Sequence, residues 1–160
     1  MPTKGDKETR RQETRQSRNG SFRLVSLTTV SCLLLLISAC NPDRCKMPFG
    51  EGGTIDVTMP DYSPLSHVGG AMSIGGIGRK GVHVTRTSYS EFVAFEMTCP
   101  NDHDVRLQAD AEWGNSILTC PTCGSRFNAL DGMPFDGSAT PCPLYQYSTA
   151  FDGRMLSIYQ

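Results

Sequence analysis

No charge excess of either sign marks this chain: its formal net charge is -1 over 160 residues, and nothing in that balance points to a nucleic-acid partner. The average hides a split. Residues before 40 carry seven Lys or Arg against three Asp or Glu, and those from 40 onward carry eight against thirteen, so the larger part is mildly acidic. No stretch makes a convincing helix and no internal repeat is visible, so a helical bundle is a poor fit. The uncharged run from Leu24 to Ala39 falls short of the about 20 residues that a bilayer-spanning helix wants. Histidine is scarce, with three in the chain, and no Ser-His-Asp arrangement or second metal set accompanies them. Nothing therefore suggests a catalytic site.

Glycine and proline are present in quantity, at 16 and 10 residues, with 8% aromatic residues, a composition that fits a turn-rich β domain. The polar, basic stretch from Met1 to Arg23 and the apolar run after it read as a secretory signal. That run closes on Ile37-Ser38-Ala39-Cys40, which resembles a bacterial lipobox, in which the cysteine is lipidated and becomes the new N-terminus. The alternative is an N-terminal membrane anchor with a chance cysteine. Either reading places the domain in the cell envelope, beside a membrane and facing the periplasm or the cell exterior. Arg10-Arg11 lacks the following apolar residues of a twin-arginine signal. The expected organisation is a lipoprotein signal over 1–39, a tether over 40–53 and a domain over 54–160.

Within the domain, short alternating segments predict strands. These are Thr54 to Met59, Val82 to Thr87, Glu91 to Met97, Val105 to Ala109, Ser116 to Thr119, Arg126 to Leu130, Leu144 to Thr149 and Arg154 to Tyr159. Asp61 to Val68 reads as loop, with His67 as a solvated loop residue. Gly76-Ile77-Gly78-Arg79-Lys80-Gly81 matches the G-x-G-x-x-G dinucleotide fingerprint letter for letter, but a β-branched strand follows where the fingerprint needs a helix. The glycines are then expected to turn a hairpin. His83, opposite in phase to Val82 and Val84, is expected at the surface. An Asp152-Gly153 turn joins the last two strands. The predicted class is all-β, an antiparallel sandwich or barrel.

The chemistry lies between Cys99 and Phe127. Cys99-Pro100-Asn101-Asp102-His103 is followed, after sixteen residues, by Cys120-Pro121-Thr122-Cys123-Gly124-Ser125-Arg126-Phe127. In an oxidising compartment cysteines default to disulfides, which leaves bridges such as Cys99 to Cys120 or Cys45 to Cys142 open. The two-residue spacing of Cys120 and Cys123, stiffened by Pro121 and followed by a glycine, is instead that of a metal knuckle with both thiolates on one site. No helix follows to make it a thioredoxin-like redox pair. Asp102 and Asp104 fit solvated turn positions.

The second loop resembles the Cys-Pro-x-His-Gly-Ser-x-Phe/Tyr loop of Rieske iron-sulfur proteins, with Cys123 in the place of the histidine. The first resembles their Cys-x-His loop with wider spacing, and the interval to the second loop agrees. Gly137 to Leu144 is similar to the family's Pro-rich cover loop. The resemblance runs over about residues 54 to 160 and extends to Rieske-like lipoproteins of Gram-negative bacteria. It implies a membrane-tethered electron carrier that serves an unknown redox partner protein, with Cys99 and Cys120 on one iron of a [2Fe-2S] cluster and His103 and Cys123 on the other. Two thiolates neutralise an oxidised [2Fe-2S] core and a third leaves it anionic, so the implied potential is lower than the about -150 to +300 mV of two-His centres. Phe127 offers no hydroxyl to the cluster, whereas Ser125 is positioned to donate. A structural zinc ion on the same four donors, or a cluster-free scaffold held by disulfides, is the alternative.

Overall fold

The structure is a computed structural model that describes residues 45–160. The expected signal segment and Cys40 lie outside the described residues. Among the described residues nine strands form two antiparallel sheets. Strands β1 (Gly53–Asp56), β2 (Ala71–Ile74), β3 (Val82–Arg86), β4 (Phe92–Glu96), β8 (Gln146–Phe151) and β9 (Met155–Tyr159) make a six-stranded sheet in the order β1-β9-β8-β4-β3-β2. Strands β5 (Gln108–Ala109), β6 (Ile117–Thr119) and β7 (Arg126–Asn128) make a small three-stranded one. The predicted all-β class is thus the observed one. Two 3-10 segments, Pro60–Ser66 and Ala111–Trp113, lie between the strands.

One of these is Pro60–Ser66, where the sequence reads as loop. Pro60 at its first turn and Pro64 within it hold φ near the helical value without needing a backbone donor, and fully buried Leu65 pins the segment to the core. The expected strand over Val105 to Ala109 shrinks to two residues, although Arg106 bridges Thr98 and Leu107 is buried as the alternation requires.

Strand β4 divides two cores. Phe92 and Ala94 point into the concave side of the large sheet with Val82, Val84, Tyr147 and Leu156. Phe95 and Met97 point the other way, onto Leu118 and Phe127 of the small sheet and Ala129 just past its last strand. This second layer corrects the expectation for His83. Its side chain does face away from Val82 and Val84, but the small sheet covers that face and His83 is fully buried. Ser73 Oγ lies 3.0 Å from its Nδ1.

Residues 45–53, read from sequence as tether, pack on the domain. Phe49 stacks on Tyr145 at 4.2 Å between ring centroids, the Gly50 N–H donates to the Tyr147 hydroxyl at 3.0 Å, and Cys45 is disulfide-bonded to Cys142. Of the two bridges that the sequence leaves open, this one forms and Cys99 and Cys120 stay free.

The glycine fingerprint is a hairpin loop between β2 and β3, as its missing helix implied. It holds an anion nonetheless, and the anion is the protein's own. The carboxylate of Glu96 accepts the N–H of Arg79 at 2.7 Å and of Lys80 at 2.9 Å. A side chain on Gly78 would put a Cβ 2.7 Å from Glu96 Oε2, so only glycine lets the carboxylate in. Burial opposes ionisation of Glu96, but the hydrogen bonds from Arg79, Lys80, Tyr147 and Thr98 outweigh it and hold its carboxyl below the usual carboxylate range.

Burial pushes the His83 pKa from 6.5 down to about 4, against a smaller pull from the Asn115 backbone. The unfolded chain therefore takes up this proton first. The stability it governs is complete above pH 6.5 and falls as pH drops from there to about 4, by on the order of 3 kcal/mol. Urea titrations across that window should show this decline in the wild type and its absence in His83→Phe.

Candidate metal centre

Two loops at one end of the small sheet carry the chemistry. Beyond β4 the chain crosses to the small sheet through the Thr98–Arg106 bridge and a Leu107 N–H bond to the Met97 carbonyl at 2.7 Å. Cys99 follows at once, its N–H reaching forward to the Val105 carbonyl at 3.0 Å, while the Val105 N–H closes back on Asp102 at 3.0 Å. The second loop joins β6 to β7 on the same plan. The Cys120 N–H reaches the Ser125 carbonyl at 2.8 Å, and the Gly124 N–H closes on the Cys120 carbonyl at 3.0 Å. Gly124 sits at φ +71°, a left-handed conformation that a side chain disfavours.

The loops bring three sulfurs together. Cys99, Cys120 and Cys123 place their Sγ atoms within 4.8 Å of one another, and Cys99 and Cys123 are 3.7 Å apart. Cys99 and Cys120 are buried and Cys123 is half-buried. His103 is on the same loop as Cys99, but the structure leaves it exposed and outside this group. Asp102 accepts the Asp104 N–H at 3.4 Å, the turn role expected for it, and Asp104 meets exposed Arg79 at 3.3 Å.

Backbone and hydroxyl donors surround the sulfurs. The N–H groups of Asn101 and Asp102 point at Cys99, and that of Ser125 at Cys123. The Gly124 N–H closes the turn on the Cys120 carbonyl. Ser125 is fully buried, with its Oγ 3.2 Å from Cys123 Sγ. The Ala139 N–H fixes that hydroxyl at 3.0 Å, and the Ser138 hydroxyl donates to the Arg126 carbonyl at 3.0 Å and accepts the Arg126 N–H at 3.1 Å. Segment 137–143 is thereby sewn to the second loop, and the disulfide at Cys142 ties it to the segment that precedes β1.

The two thiols of the close pair differ. Burial, followed by the Cys120 thiol, pushes Cys99 up to about 12 against the pull of the Asn101 and Asp102 amides. Burial also opposes ionisation of Cys123, but the Ser125 hydroxyl and N–H and the neighbouring thiols outweigh it and bring it down to about 7.

The donors fit a metal in kind and in spacing. Thiolates are soft ligands suited to iron and zinc. Sulfurs about 2.3 Å from one tetrahedral ion stand roughly 3.8 Å apart, which the 3.7 Å between Cys99 and Cys123 matches. That spacing is the edge of a single ion's coordination shell. The assignment of Cys99 and Cys123 to two different irons asks for a wider separation.

No protein-family model matches the chain, and no curated protein does. Among solved structures it is similar to the ferredoxin of carbazole 1,9a-dioxygenase from Nocardioides aromaticivorans IC177. The identity is 18% with a TM-score of 0.39, and the match covers 66% of this chain and 96% of that one. It is also similar to a chain from a complex of reduced oxygenase and oxidized ferredoxin in carbazole 1,9a-dioxygenase, at 23% identity and a TM-score of 0.37, covering 57% of this chain and 90% of that one. These likenesses are loose, and the function has to be read from the chain's own residues.

Glu96 is the residue that reasoning from sequence missed. Its signal was there: in Phe92-Val-Ala-Phe-Glu96 the glutamate falls in phase with buried Phe92 and Ala94. An inward carboxylate needs donors.

Metal-free protein treated with a limiting amount of iodoacetamide near neutral pH should be alkylated first at Cys123 and last at Cys99, read by peptide mass spectrometry.

Proposed function

We propose that the protein is a Rieske-like electron carrier whose metal centre is held by Cys99, Cys120 and Cys123, with His103 as the fourth donor and a [2Fe-2S] cluster as cofactor. The observation that carries this reading is the convergence of three unpaired cysteines from two loops, the second of them bound to a third segment. The loop plan supports His103. Counting back two residues from the carbonyl that closes each loop gives Cys123 in the second and His103 in the first.

When bound, such a cluster takes up and releases one electron. The chain's own part is to bury two of the ligands, to aim the Asn101, Asp102 and Ser125 amides at sulfur, and to set the Ser125 hydroxyl on Cys123. Hydrogen bonds to sulfur stabilise negative charge and favour the reduced state, while a third thiolate opposes it. The balance is a potential below that of two-His centres. A carrier of this kind works between a donor and an acceptor protein. Lipidation at Cys40 would hold it at a membrane of the cell envelope, facing the periplasm or the cell exterior.

The 3.7 Å between Cys99 and Cys123 favours a second reading, a single structural zinc ion on the same donors. Iron, labile sulfide and zinc analysis of anaerobically purified protein separates the two. Iron and sulfide in equal amounts, with a paramagnetic signal on reduction, are expected. Zinc without sulfide would leave the scaffold and remove the electron transfer. With a cluster in place, His103→Cys should keep it and lower its potential, whereas Cys123→Ala should lose it.

A further inference from the structure

Glu96 is fully buried, and its two carboxylate oxygens accept five hydrogen bonds. Each oxygen takes one amide of the glycine hairpin, and the two differ in what else they hold. Oε2 takes the Arg79 N–H at 2.7 Å and the hydroxyl of Tyr147, on β8, at 2.8 Å. Oε1 takes the Lys80 N–H at 2.9 Å together with the Thr98 N–H at 3.2 Å and the Thr98 hydroxyl at 2.9 Å. Thr98 is itself fully buried and immediately precedes Cys99. The segment between is held on both sides, the Met97 N–H by the Gly81 carbonyl at 2.9 Å and the Met97 carbonyl by the Leu107 N–H at 2.7 Å.

Resting on the metal-centre reading, we infer that Glu96 is a positioning residue for the centre, acting through Thr98 to fix where the Cys99 loop begins. The carboxylate is one rigid body with two ends. The hairpin holds both ends, Oε2 reaches on to the large sheet through Tyr147, and Oε1 grips the residue before a ligand. Outer partners of metal ligands govern how firmly the ligands hold, and here the outer partner is reached through one backbone step. Tyr147 and Thr98 lie on opposite ends of the same group, so they separate fold from site. Losing the Tyr147 hydroxyl weakens the large sheet, and losing the Thr98 hydroxyl loosens the loop.

The probe is cobalt(II) loaded into the reduced full chain, whose thiolate-to-metal absorption reports the sulfurs, followed by its release to excess EDTA. Thr98→Val is expected to release cobalt about tenfold faster or more with an altered absorption band, at a melting temperature lowered no further than that of Tyr147→Phe. Thr98→Ser, which keeps the hydroxyl, should restore both rate and band. Tyr147→Phe should lower the melting temperature and leave release unchanged. If Thr98→Val releases cobalt at the wild-type rate, or Thr98→Ser fails to restore it, the positioning role is overturned. Wild-type protein that takes up no cobalt overturns the metal-centre reading and this inference with it.

Discussion

A buried carboxylate with five donors sits where the chain passes from the large sheet to the small one. Without Glu96, the N–H groups of Arg79, Lys80 and Thr98 and the hydroxyl of Tyr147 would lose the acceptor they share. Leaving buried donors unsatisfied costs about 1–3 kcal/mol apiece. The charge is affordable in the interior only because those donors converge on it, and they converge only because glycine at position 78 leaves room. A sequence that mimics a phosphate-binding loop has been turned to holding a side chain, and the same contact sets the start of the first cysteine loop.

The two sheets divide the work. The large one buries an aliphatic and aromatic core on its concave face, and β4 lends its other face to the small sheet, so Phe95 and Met97 become the floor under the cysteines. The small sheet could not stand alone, having strands of two or three residues. Its support comes from the floor beneath, from the 137–143 segment bound to its second loop, and from the Cys45–Cys142 disulfide that ties that segment to the residues before β1. Closing so long a loop is the case in which a disulfide is expected to stabilise most, although strain and residual structure reduce the effect. The outcome is a stiff frame around three sulfurs.

Much of this was legible in the residues. Two-residue alternation predicted most strands, because one face of each meets a core, and the glycine run announced its hairpin by lacking a helix. What escaped depended on the third dimension. His83 has the phase of a surface residue, and only the second layer hides it. The 3-10 segment at Pro60–Ser66 is made of residues equally at home in a loop, and Leu65 decides the matter by burial. The Cys45–Cys142 bridge, across 97 positions, could be left open as one of two pairings but not chosen, because no local pattern encodes it. At the site, the two-residue spacing pointed to Cys120 and Cys123, and only the resemblance added Cys99, which the structure brings to them. His103 was joined to them through resemblance, and the structure leaves it outside the sulfur group.

The central claim is that cysteines from two loops share one metal centre. Extended X-ray absorption at the edge of the metal found in the purified protein tests it most directly. The account predicts a first shell dominated by sulfur near 2.3 Å, which loses sulfur in Cys123→Ser. A shell of oxygen and nitrogen alone, or one unchanged by that substitution, would contradict it.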